Sequence, residues 1–242
     1  MERNRLYIYP DVKTLAAAFV CELSKSLHSS SDSIRPLNVA LSGGSTPLVI
    51  FRQLQVTTKP EEWSGIHLYW GDERCVPPDD PQSNFGQAQS LLIGPLGIQE
   101  QQVHRIRGEM DPEQESGRYG RMLSQQLPVE NGIPVFDWIL LGLGEDGHTA
   151  SIFPDQIELW NSEDPCVVAK HPLSGQERIS FTGGVINAAR RVSFIVTGSN
   201  KKQVVRDIIQ RRGRYMDFPA SCVAPLTGSV EWYLDMEAAS GL

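Results

Sequence analysis

The chain has 242 residues, 40% hydrophobic and 21% charged, a globular composition long enough to bury a core as one α/β domain over residues 1–242. A formal net charge of −7 and an isoelectric point near 5.3 argue against a nucleic-acid partner, which needs a basic face, and mean that any anionic ligand must find local Arg and Lys. Cys21, Cys75, Cys166 and Cys222 are scattered without C-x-x-C spacing, and no apolar run has signal-peptide or membrane length, so reduced thiols, no membrane partner and a cytoplasmic location are expected.

Residues 6–9 form a short apolar-aromatic stretch that predicts a strand. Val12, Leu15, Ala16, Phe19, Val20, Leu23 and Leu27 then recur at helical spacing behind Asp11, a fitting N-cap. The polar residues 28–33 are expected to be a loop. Residues 37–41 and 66–70 are apolar runs that predict buried strands, and 47–54 predicts a helix whose first-turn Pro47 needs no amide hydrogen. The Pro-rich residues 75–81 cannot pair in a sheet.

A strand over 103–106 and a surface helix over 112–127 follow, then a central strand over 136–141 interrupted only by Asp137. Residues 167–169, 178–181 and 192–196 predict further strands, 199–211 a helix, and 231–234 an edge strand. The alternation of strands with helices predicts a mainly parallel, doubly wound, Rossmann-like sheet flanked by helices. The turns after residues 41, 70, 141 and 197 are expected to meet at one edge of it, where open α/β sheets bind ligands.

Chemistry concentrates in those turns. Gly142-Leu143-Gly144-Glu145-Asp146-Gly147-His148 places an imidazole two residues from a carboxylate. Histidine is the side chain that titrates nearest neutrality, so His148 is the candidate general base, with Asp146 or Asp72 fixing its tautomer. Ser42-Gly43-Gly44-Ser45-Thr46-Pro47 exposes amides and hydroxyls at a helix start, which suits a phosphate. It is not a Walker P-loop, since no Gly-Lys-Ser/Thr opens the helix.

Arg74, in Asp72-Glu73-Arg74, is a candidate for a phosphate or a developing oxyanion; its charge favours a lowered pKa for the adjacent Cys75 thiol, yet most cysteines in such positions are bystanders. Lys201 opens a helix behind a strand and can meet a phosphate as a point charge, with Arg178 a further candidate. No other histidine has ligand spacing to His148, so no metal is expected. A rival reading takes Gly43-x-Ser45 as a nucleophile elbow with His148 as its base, although Pro47 makes the turn a helix start.

Several segments in order resemble the 6-phosphogluconolactonase family: Ser42 to Pro47, Trp70-Gly71-Asp72-Glu73-Arg74-Cys75-Val76-Pro77, Ser83-Asn84, Gly142 to Pro154, Val196 to Lys201, and Pro219-Ala220-Ser221 through Trp232 to Asp235. The resemblance implies cofactor-free hydrolysis of a sugar phosphate lactone in the pentose phosphate pathway. It places His148, Asp146, Arg74 and Asp72 in catalysis, and Gly43, Gly44, Ser45, Thr46, Asn84, Arg178 and Lys201 on the substrate. The related glucosamine-6-phosphate deaminases resemble Asp-Glu-Tyr where this chain has Arg74, and an Asn-Glu-Pro ending where it has Phe153-Pro154. A phenyl ring cannot relay a proton, so the resemblance favours the lactonase; a deaminase-like enzyme or a non-enzymatic sugar-phosphate sensor is the alternative.

Overall fold

The structure, a computed structural model, describes residues 4–31 and 35–242. In chain order the strands are β1 (Asn4–Tyr9), β2 (Leu37–Leu41), β3 (Ile66–Trp70), β4 (Asp72–Arg74), β5 (Val103–His104), β6 (Val129–Glu130), β7 (Ile133–Pro134), β8 (Trp138–Leu141), β9 (Cys166–Lys170), β10 (Glu177–Phe181), β11 (Arg191–Val196) and β12 (Ser229–Asp235). Seven of them form one sheet in the order β1-β12-β11-β8-β2-β3-β5. Every neighbouring pair in it is parallel, and helices flank it, as the α/β pattern predicts.

The helix Val12–Ser31 starts where expected, with the Asp11 carboxylate accepting from Thr14 N–H at 2.8 Å. Its apolar stripe packs Phe19 against Trp138 of β8 and Tyr233 of β12. Asp137 falls just before β8 and accepts two hydrogen bonds from the Arg35 guanidinium, at 2.7 and 2.9 Å. The partly buried carboxylate is thereby satisfied.

Four expectations need correction. Residues 28–31 continue the first helix instead of forming a loop, because the polar run holds neither Gly nor Pro to break it; the remainder of that expected loop, 32–33, lies outside the described residues. β12 is an interior strand between β1 and β11, and β1 is the edge. Within β12 the Glu231 side chain is 1% exposed and paired with Arg191 at 2.7 Å. The stretch after β3 is itself a strand: β4, β10 and β9 make a second, antiparallel sheet that is not part of the parallel one. The helix expected over 199–211 is a 3-10 turn Ser199–Lys201 and an α-helix Lys202–Ile209, ended by Arg211 in the left-handed region at φ 52°.

Neighbouring β3 and β5 also join two imidazoles. His104 Nε2 lies 3.0 Å from His67 Nδ1, and His104 stacks on Tyr69 at 4.5 Å. Burial pushes both histidines down, His104 to about 4 with the charge of His67 adding to the effect. An unfolded histidine takes a proton near pH ~6.5. Between that pH and the folded value the unfolded chain binds more protons, so stability is lost as pH falls through the window. His104→Phe, which keeps a ring on Tyr69, is expected to flatten the acid limb of a Tm-against-pH curve. An unchanged slope would mean that this pair does not set acid stability.

Candidate active site

The chain builds the parallel sheet outward from β2 through β3 to β5, then restarts at β8 and runs the other way through β11 to β12. The turns that leave β2 and β8 therefore diverge, opening a crevice at the carboxyl edge of the sheet. A cavity of about 210 Å³ sits there, lined by both turns together with Asp72, Arg74, Asn84, Arg178 and Lys201. The expected convergence of strand ends is observed, and every candidate residue except Asp146 lines this cavity.

Asp146 stands behind His148. Its Oδ1 lies 2.6 Å from His148 Nδ1 and also accepts from the His148 backbone N–H at 3.1 Å. Burial pushes the Asp146 carboxyl up, but its hydrogen bond to His148 and the histidine's charge outweigh this and leave it below the usual carboxylate value. An ionised Asp146 accepts the Nδ1 proton, which leaves the Nε2 lone pair as the basic site. Gly144 is required here: a Cβ on it would stand 2.1 Å from His148 Nδ1 and 2.3 Å from Asp146 Oδ1. Asp72, the other carboxylate considered for this role, accepts instead from Ser151 Oγ at 2.7 Å.

Two arginines face the same cavity from paired strands. Arg74 of β4 and Arg178 of β10 are direct cross-strand partners, and among the described residues neither Nε has a hydrogen-bond partner. Burial, and then the like charge of Arg74, push the Arg178 guanidinium down. Two adjacent cations with unmet donors are costly in the free protein and relieved by an anion. Cys75 is such a bystander and not an activated thiol. Burial and the carboxylates of Glu177, Glu73 and Glu115 push its thiol up to about 11, away from the reactive thiolate.

Across the cavity, Gly44 precedes the helix Ser45–Thr57 and has no side chain to cap it, so the first amides are open to an anion. Thr46 Oγ1 lies 2.8 Å from Thr197 Oγ1, which ties this turn to the end of β11. Burial pushes the Lys201 ammonium down, opposed by the carboxylates of Glu145 and Asp146. Asn84 braces the glycine turn from below: a Cβ on Gly43 would stand 1.8 Å from Asn84 Oδ1, while Asn84 Nδ2 donates to the Asp72 carbonyl at 3.0 Å. The buried Glu73 carboxylate holds Asn84 there by accepting from the Asn84 and Phe85 amides, both at 2.8 Å.

A family model described as glucosamine-6-phosphate isomerases/6-phosphogluconolactonase matches residues 10–232. The chain belongs to this family. It is 44% identical over 205 residues to 6-phosphogluconolactonase of Haemophilus influenzae, covering 84% of this chain and 86% of that one. Over 203 residues it is 44% identical to the protein of the same name from Treponema pallidum, covering 84% and 83%. Its fold is similar to the solved structure of 6-phosphogluconolactonase from Trypanosoma brucei, with a TM-score of 0.87, 27% identity and full coverage of both chains.

Sequence reasoning passed over other residues at this site. Thr197 lines the cavity, and His171 packs on Phe153 at 5.3 Å from a hairpin turn. Neither contact has a local signature, since each partner comes from a distant segment.

Proposed function

We propose that this protein hydrolyses 6-phosphoglucono-1,5-lactone to 6-phosphogluconate, the lactone-opening step of the oxidative pentose phosphate pathway, with His148 as general base. The observation that carries this reading is the Asp146–His148 hydrogen bond, which leaves an imidazole nitrogen basic at a cavity holding two arginines and a lysine. His148 Nε2 takes a proton from water as the water oxygen bonds to the lactone carbonyl carbon. The bond from that carbon to the ring oxygen then breaks, and His148 returns the proton to that oxygen, giving a hydroxyl and a carboxylic acid that ionises.

In this reading the 6-phosphate sits on the Gly43, Gly44, Ser45 and Thr46 turn with Lys201. Arg74 meets the tetrahedral oxyanion, a contribution of about 3 kcal/mol for a well-placed donor. Arg178, beside Arg74, adds positive charge to either anion, and Asn84 supports the phosphate turn from beneath instead of touching substrate through its buried oxygen. Asp72 is left for the sugar hydroxyls. We read residues 1–242 as one domain working in the cytoplasm on a small molecule, not on nucleic acid. Among the described residues no helix is long and apolar enough to cross a membrane.

Ser45→Ala separates this chemistry from a serine-nucleophile mechanism. Ser45 is the first residue of its helix, and among the described residues no hydrogen bond joins its hydroxyl to His148. The variant is expected to raise KM and largely spare kcat, and the wild type is expected to resist labelling by a fluorophosphonate. Abolished turnover together with a covalent label would identify Ser45 as the nucleophile. Ammonia release from glucosamine 6-phosphate, assayed alongside lactone opening, is expected to be absent. Ammonia release without lactone opening would replace the lactonase reading with a deaminase one.

A further inference from the structure

Phe153 does not line the cavity, is 0% exposed, and yet touches three of the groups around it. Its ring centroid lies 4.7 Å from that of His148 and 5.3 Å from that of His171, and the Arg178 guanidinium carbon lies 5.6 Å from it. A hydrogen bond at Nδ1 alone leaves an imidazole free to swing about that bond. On one side the swing is stopped by the Gly144 backbone, which comes so close that no Cβ fits. The ring packed against the imidazole is Phe153, tilted by 52° to it.

We infer that Phe153 is a positioning residue for the hydrolysis: with Gly144 it forms a slot that fixes the plane of the His148 imidazole, and the same ring holds Arg178. The guanidinium has reason to stay there. Its Nε has no partner among the described residues, and a π-face within about 6 Å is attractive to a cation. One rigid apolar ring thus keeps the base and one arginine in a common frame, so that the attacking water and the developing charge meet them together. The backbone that carries the ring is anchored by a turn in which the Phe153 carbonyl accepts from the Gln156 amide at 3.0 Å.

This rests on His148 acting as the base. The test is Phe153→Leu, which keeps the site apolar and removes the ring, with Phe153→Met as a flexible filler if the first does not fold. At equal folded concentration kcat is expected to fall roughly 10- to 100-fold, the scale of a 1 Å misplacement, with KM little changed. The downfield His148 Nδ1 proton resonance is expected to broaden as the bond to Asp146 loses its fixed geometry. A merely space-filling Phe153 would lower Tm and leave kcat and that resonance alone, which would overturn the inference. The wild-type protein supplies a measurement that needs no variant: side-chain relaxation should find the His148 ring as rigid as the backbone around it, and a ring mobile on the picosecond–nanosecond timescale contradicts the slot. A wild type that opens no lactone removes the proposed function itself, whereas an active wild type with equally active variants removes only the role of Phe153.

Discussion

His148→Asn is expected to lower kcat for lactone opening by about 10²- to 10⁴-fold and to leave KM almost unchanged, because the base acts on the attacking water in the transition state and not on bound substrate. Asn keeps a polar group of similar reach but supplies no base, so the effect reports proton transfer more than lost volume. Asp146→Asn should cut kcat as well, since a neutral amide carbonyl holds the Nδ1 proton at 2.6 Å less strongly than the carboxylate that burial and His148 now shape. A His148→Asn variant that keeps the wild-type rate would remove the histidine from the reaction.

Lys201→Ala is expected to weaken the phosphorylated lactone about 10- to 100-fold and hardly affect unphosphorylated gluconolactone. A charge-assisted hydrogen bond from an ammonium to a dianion is worth roughly 1.5–3 kcal/mol, and the half-buried position of Lys201 on the cavity wall limits screening by solvent. Burial also sets a direction in pH. The lysine loses its proton below the ordinary lysine value, so preference for the phosphorylated substrate should decline on the alkaline side earlier than an exposed lysine would allow. The quantity to measure is the ratio of kcat/KM for the two lactones. A ratio unaltered by Lys201→Ala means that the phosphate is held elsewhere along the sheet edge.

Much of this arrangement was legible in the sequence because it is local. The apolar runs of β2, β3, β8 and β11 announce buried parallel strands, and Gly43-Gly44 and Asp146-Gly147-His148 carry their geometry within a few residues. What was hidden depends on partners far along the chain. The interior place of β12 depends on Arg191, 40 residues away, which neutralises Glu231 inside the sheet. Asp72 to Arg74 became a strand because β10 pairs with it across about a hundred residues. The thiol of Cys75 follows burial and the carboxylates brought around it by folding. Phe153 was visible as a residue that cannot relay a proton. That it packs on His148, Arg178 and His171 at once is a property of the assembled sheet edge.

The most direct measurement is the opening of freshly generated 6-phosphogluconolactone, followed as proton release, with and without the purified protein and with no other catalyst added. The expected result is a rate far above the spontaneous one, proportional to protein concentration and collapsing in His148→Asn. A lactone that opens at its spontaneous rate whatever the amount of wild-type protein would contradict the assignment of lactone hydrolysis to this site.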